Sequence, residues 1–105
     1  KSINLFGKGA ELRDHISIHD VIKILFTVIE KKGIGVINAV SGKVISFLFI
    51  AKNTNKNLNN KKININFIDR TGPMPHNGYR AFNDSLLKKN FKNLKTKKFP
   101  LGFIK

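Results

Sequence analysis

The chain has 105 residues, 20 of them basic against 6 acidic, for a formal net charge of +14, and it contains no cysteine. That length suffices for one domain with a modest core and not for two, while the missing cysteines exclude a disulfide framework and thiolate chemistry and suit a reducing cytoplasm. No apolar run approaches the roughly 18 residues of a membrane-spanning helix, the best candidate, VIKILFTVI, being short and interrupted by Lys23. No signal peptide is visible, and a start at Lys1 with an ending LGFIK makes both termini read as cut, so a fragment is the expectation.

Residues 2–7, SINLFG, alternate loosely and predict a short strand leading into the turn GKGAE. RDHISI then carries Arg13 toward a helix start, with Ser17 and Asp20 in a capping-box pattern. Val21, Ile24, Leu25, Val28 and Ile29 give that helix one apolar face, ending near Lys32, with Gly33 expected as a left-handed cap. GVINAV, short and β-branched between Gly35 and Ser41–Gly42, predicts a buried strand. Ser46 caps a second helix, FLFIAKN, after which the polar low-complexity stretch 52–62 predicts a frayed helix end and an exposed loop. ININF alternates as a half-exposed strand, with Ile63, Ile65 and Phe67 on one face. Past a loop, Asp84 or Ser85 starts the short helix LLKKNF, and a last helix is expected to begin near Pro100. The order strand, helix, strand, helix, strand, loop, helix is α/β in class.

The loop Arg70–Asp84, RTGPMPHNGYRAFND, holds two of the three arginines, the only methionine, the only tyrosine and two of the three prolines. A loop so rich in specialised residues reads either as a binding loop or as a surface loop stiffened by proline. The charge is carried by 17 lysines and three arginines beside 13 asparagines, 14 isoleucines and nine phenylalanines, a composition that AT-biased coding produces. Where lysine has replaced arginine nearly everywhere, the arginines that remain mark positions needing a planar fork. Arg13, Arg70 and Arg80 are therefore the candidates for bidentate contacts to phosphate or carboxylate.

Reaction chemistry is not legible. Gly7 and Gly9, and Gly33 and Gly35, lack the strand-to-helix context and third glycine of a dinucleotide cradle. His15, His19 and His76 form no defensible ligand set with the six acids. Ser41, Ser46 and Ser85 read as turn or cap residues, and Tyr79 has Asn83, not lysine, four residues on. The residues alone describe a binding module with arginine-centred anion recognition.

Three segments bring a family into view. GKGAELRDHISIHDVIKI resembles the glycine turn, Arg-Asp-aromatic-Ile-x-Val-x-Asp-Val and helix of NAD-dependent epimerase/dehydratases, the extended short-chain dehydrogenase/reductases. GVINAVSGKVISFLFIAK is similar to that family's Gly-Val-Tyr-Asn-x-Gly-Ser-Gly strand and turn with its Ser-capped helix, and RTGPMPHNGYRAFNDSLLKKNF with PLGFIK resembles its closing segments. The matches come in family order and cover nearly the whole chain.

The resemblance implies a C-terminal substrate-binding lobe, one partial domain over 1–105, whose missing N-terminal Rossmann domain would carry NAD or NADP and the catalytic Tyr-x-x-x-Lys. Alone, the segment would bind a nucleotide-sugar without transforming it. Arg13 and Arg70 match arginines that approach the substrate diphosphate; Arg80 and Tyr79 are further substrate-binding candidates. Asp20 matches a helix-starting acid and Asn38 a residue supporting neighbouring turns. Ala39 and Val40, His15 and Asn83 depart from the family pattern. The alternatives are a small basic nucleic-acid-binding protein, which the +14 charge would serve, and an orphaned fragment with a purely structural role.

Overall fold

The structure, a computed structural model, describes residues 1–58 and 62–96. It begins with β1 (Ser2–Phe6), which pairs in parallel with β4 (Asn64–Ile68), Ile3 opposite Ile65 and Leu5 opposite Phe67. One face of this pair is a polar rung, the Asn66 side-chain amide donating to Asn4 Oδ1 at 3.1 Å. The other carries buried Leu5 and half-buried Ile3 and Ile65. Both strands fall where alternation predicts them, although Phe67, expected on the apolar face, stands exposed.

The next strand is a correction. Arg13 does not enter a helix start but sits mid-strand in β2 (Leu12–Asp14), the centre of a second sheet. There β3 (Val44–Ser46) runs antiparallel to it and β5 (Tyr79–Arg80) parallel, with Arg13 opposite both Ile45 and Arg80. Three- and two-residue strands are too short to show a period, so only pairing reveals them.

Helix α1 (Ile18–Glu30) forms as predicted: the Ser17 hydroxyl accepts from the Asp20 amide at 3.1 Å. Its ending differs. Lys32, at φ 48°, is the left-handed residue, and Gly33 instead folds its amide onto the Val28 carbonyl at 2.8 Å. A Cβ on Gly33 would lie 3.1 Å from the Val28 side chain, so the glycine serves close approach. Of the predicted apolar face, Ile24 is buried and Val28 packs beside it, whereas Leu25 and Ile29 are exposed.

The predicted strand GVINAV is not formed; residues 34–40 lie outside any helix or strand, and among the described residues no strand pairs with them. Helix α2 (Phe47–Asn57) starts under the Ser46 cap, whose hydroxyl accepts from the Phe49 amide, and runs further than its polar composition predicts. Side chains account for the extension. Asn53, Thr54 and Asn57 donate back to carbonyls four residues earlier, and Asn55 holds Ile63 from both sides, accepting its N–H at 3.0 Å and donating to its carbonyl at 2.6 Å. Asparagine thus acts here as a backbone mimic.

After a single tight turn at Pro75–Gly78 comes α3 (Ser85–Asn90). Asp84 stands at its N-cap, as predicted, but its side chain makes no capping bond: Asn83 Oδ1 accepts from the Ser85 amide at 2.8 Å, while Asp84 pairs with Lys88 at 2.6 Å. The helix expected near Pro100 lies outside the described residues. Ile24, Leu87 and Phe91 form the core, with Ile16, Val28, Ile37 and Leu94 against it. The described residues form a small mixed α/β domain of two short sheets and three helices. Among the described residues no helix is long and apolar enough to cross a membrane.

Candidate functional site

Parallel pairing puts the carboxyl ends of β1 and β4 side by side, and the Gly7 amide closes the pair by donating to the Ile68 carbonyl at 2.8 Å. The chain leaving β1 turns through Gly7 and Gly9, both at positive φ, into Glu11 and β2. That turn is pinned beneath α2: the Gly9 carbonyl accepts from the Leu48 amide at 2.9 Å, and a Cβ on Gly9 would meet Leu5 Cδ1 at 2.8 Å. The chain leaving β4 reaches Arg70 two residues on. Two segments remote in sequence therefore meet at one end of the sheet, which is where open α/β sheets bind ligands.

Glu11 is the centre of this meeting. Its carboxylate, with 8% of the side chain exposed, takes Arg13 on Oε2 at 2.8 Å and Arg70 on Oε1. Glu11, the residue before β2, lies two positions from Arg13, and both side chains meet in one ion pair. Arg13 is heavily committed, for it also donates to the Leu12 carbonyl at 2.9 Å and the Pro75 carbonyl at 3.0 Å, holding the proline loop against β2. Arg70 is less so: besides Glu11 it lies over the Phe6 ring, 5.2 Å from its centroid, and makes no other hydrogen bond among the described residues. Two guanidiniums around one carboxylate leave one net positive charge, with free N–H donors chiefly on Arg70.

Beside them is a cavity of about 280 Å³ lined by Asn4, Phe6, Gly9, Glu11, Phe47 and Arg70, among others. It combines aromatic walls with one guanidinium and one carboxylate. That is the mixture of apolar lining and few fixed polar groups by which small-molecule sites orient a ligand. Phe47 also receives the His15 ring edge-on, centroids 5.6 Å apart at 83°. Burial holds the His15 pKa below its ordinary 6.5, against the opposing pull of Asp14 and with some help from Arg13.

Arg80 and Tyr79 do not join the cluster. Arg80 lies against His76 Nε2 at 3.1 Å and over the Phe82 ring at 5.2 Å, and Tyr79 is exposed on β5. Asn38 donates to the Asn83 carbonyl at 3.0 Å, tying the segment after α1 to the loop before α3, and Asp20 sits buried in the first turn of α1.

Sequence reasoning missed two acids. Glu11 was legible in principle as one of only six acids, two residues before an arginine, but the pattern speaks only once β2 is known to be a strand. Asp14 is the other: Oδ1 accepts from the Ser41 amide at 2.9 Å and hydroxyl at 2.7 Å, and Oδ2 from the Gly42 amide at 2.9 Å. It holds the turn before β3 rather than a ligand.

These features define a mixed α/β domain with an arginine–carboxylate cluster at the carboxyl end of a parallel strand pair. Beyond that class, no protein-family model, no curated protein and no solved structure matches the chain.

Proposed function

We propose that this chain is the substrate-binding portion of an NAD(P)-dependent nucleotide-sugar epimerase, dehydratase or reductase, and that Arg70, supported by Glu11 and Arg13, receives the substrate's diphosphate. The observation that carries the reading is the convergence of Arg13 and Arg70 on Glu11 beside the cavity. The motif order described above supplies the substrate class.

In this reading Arg13 is a positioning residue, since it is held by three hydrogen bonds, to Glu11 and to the carbonyls of Leu12 and Pro75. Glu11 fixes the Arg70 fork, and Phe6 supports its face, so little side-chain entropy is lost when an anion docks. Phe47 and Phe6 exclude water from the flank of the ligand. Arg80 and Tyr79, on β5 beside β2, serve in this reading as a secondary contact for the substrate.

The nicotinamide cofactor, NAD or NADP, exchanges hydride with the sugar when bound, and it belongs to the partner Rossmann domain in this reading. The residues here do not fit it: the glycines at 7, 9, 42, 72 and 78 occupy turns at positive φ, and none opens a helix as a dinucleotide cradle requires. No catalytic step is assigned to this segment.

The test is a titration of the isotope-labelled chain with uridine diphosphate, read by NMR. Shifts confined to Phe6, Gly9, Glu11 and the Arg70 side chain, and abolished by Arg70→Ala, are expected. Shifts scattered over the lysines and indifferent to that substitution would overturn the assignment. Tight binding of an RNA oligonucleotide, weakening steeply with salt, would favour the nucleic-acid alternative instead.

A further inference from the structure

Strand β4 has a partner on one side only. Main-chain groups of successive strand residues point to opposite sides, and the Ile68 carbonyl turns toward β1, where it accepts from the Gly7 amide. Asn64, Asn66 and Ile68 therefore serve β1, while Ile63, Ile65 and Phe67 turn their N–H and carbonyl groups outward. At Ile63 the Asn55 side chain takes both groups, accepting at 3.0 Å and donating at 2.6 Å. Those of Ile65 and Phe67 meet no strand among the described residues, where β1 is the neighbour of β4 and no second one flanks it.

This edge is also undefended. Residues 63–68, ININFI, contain no charge, proline or glycine, and the register with β1 runs without a bulge, so the usual devices that keep sheet edges apart are missing. Phe67 is 58% exposed and Ile68 39%, although alternation puts Phe67 on the face that holds Leu5 and Ile65. An open groove of about 420 Å³, walled by Asn55, Ile63 and Ile65 among others, lies along the first half of the edge. A two-stranded ribbon is marginal by itself and gains from further strands.

We infer that the outer edge of β4 pairs antiparallel with the same edge of a second copy, across a two-fold axis at Asn66, giving a closed dimer with a continuous sheet β1-β4-β4-β1. The register follows from which groups are open. With Ile63 taken by Asn55, the arrangement that satisfies both remaining residues sets Ile65 opposite Phe67 of the other copy, with N–H···O bonds exchanged in both directions. Side chains agree with it: Ile65 meets an aromatic ring beside the groove, a favourable cross-strand pair, and Asn66 meets Asn66, as it already meets Asn4 within the chain. Charge selects the antiparallel sense. Exposed Lys62 precedes the segment and exposed Asp69 follows it, so antiparallel strands bring Lys62 of one copy within one position of Asp69 of the other. A parallel pair would set like against like. The edge is short and buries less than the roughly 1,200 Å² of a stable interface, and each copy carries +14. The dimer is therefore weak, and salt strengthens it by screening that repulsion. Neither its register nor its test depends on the proposed nucleotide site.

The test uses the full 105-residue chain, which holds no cysteine, and its variants Asn66→Cys, Asn64→Cys and Phe67→Lys. In the dimer position 66 faces itself as a non-hydrogen-bonded pair, whose Cα separation of about 4.5 Å suits a disulfide, whereas position 64 faces Ile68. Under a mild oxidant Asn66→Cys should form disulfide-linked dimers at least about tenfold faster than Asn64→Cys. Sedimentation of the parent chain between about 10 µM and about 1 mM should show monomer and dimer alone. The dimer fraction should rise as salt goes from about 0.01 M to about 0.15 M. Phe67→Lys, a change at an exposed side chain, should keep the helix content and remain monomeric. An Asn66→Cys rate no faster than that of Asn64→Cys would overturn the inference. So would a parent monomeric at every concentration, oligomers beyond the dimer, a dimer that salt weakens, or a dimer that persists in folded Phe67→Lys. The comparison of the two cysteine variants decides the register whether or not Phe67→Lys folds.

Discussion

Glu11→Gln separates a functional arginine cluster from a merely structural one. The substitution keeps the side chain's size and removes its charge, leaving Arg13 and Arg70 held near each other without a counterion. A hydrogen bond to a charged group contributes about 1.5–3 kcal/mol, and breaking a buried ion pair by removing one partner costs about 3–5 kcal/mol. The two arginine side chains are 16% and 22% exposed and rehydrate in part, so the loss should be about 3 kcal/mol, near the lower limit for a buried pair. In a domain of this size each kcal/mol moves the melting temperature by about 4–8 °C, which gives a fall of roughly 15 °C. Differential scanning calorimetry at pH 7 reads it directly. The same variant releases the Arg70 fork that Glu11 holds, so nucleoside diphosphate affinity, measured well below the new melting point, should fall. A melting temperature within about 2 °C of the parent's would refute the bridging role of Glu11, since that shift corresponds to under 1 kcal/mol. An unchanged affinity beside the fall in stability would refute the positioning of Arg70 by Glu11 and leave the cluster merely structural.

Ser17→Ala should cost about 1 kcal/mol in chemical denaturation by freeing the Asp20 amide at the start of α1. Asp14→Ala removes three hydrogen bonds to Ser41 and Gly42 and should cost about 2–3 kcal/mol, with loss of protection at the Ser41 and Gly42 amides in hydrogen exchange. Gly42→Ala forces a side chain onto φ 73° and directs its Cβ into the Asp84 carboxylate; a loss of at least about 1 kcal/mol is expected, and an unchanged midpoint would contradict the placement of α3 against this turn. His15 resists protonation when folded, so the unfolded chain binds more protons below pH 6.5 and stability falls as pH drops from there toward the lowered folded pKa. His15→Phe keeps an aromatic edge against Phe47 and should flatten the stability–pH profile in that window; a profile as steep as the parent's would assign the slope to other groups.

The sequence rendered some elements well because their signals are local. Helix α1 carries its own cap and its own apolar spacing, and α2 its own cap at Ser46. Strands β1 and β4 alternate over enough residues to show a period of two. The failures were equally physical. Residues 34–40 have the composition of a strand, but a strand exists only by pairing, and nothing among the described residues pairs with them. Strands β2, β3 and β5 lack the length for a pattern and form because β2 finds a neighbour on each side. The polar end of α2 defeated a composition argument through asparagine side chains that bond their own backbone.

Taken alone, the sequence determined which residues were worth asking about. Sparse arginine in a lysine-rich chain selected Arg13, Arg70 and Arg80 by chemistry, without coordinates. Only the tertiary structure decided that Arg13 and Arg70 act together while Arg80 stands apart. That decision belongs to the parallel pairing of β1 with β4, which brings the residue after one strand beside the turn after the other, and to a single buried carboxylate placed to receive both. Pairing of distant strands and the partner of a charge are non-local facts, set by what the whole chain packs together, and no window along the sequence contains them.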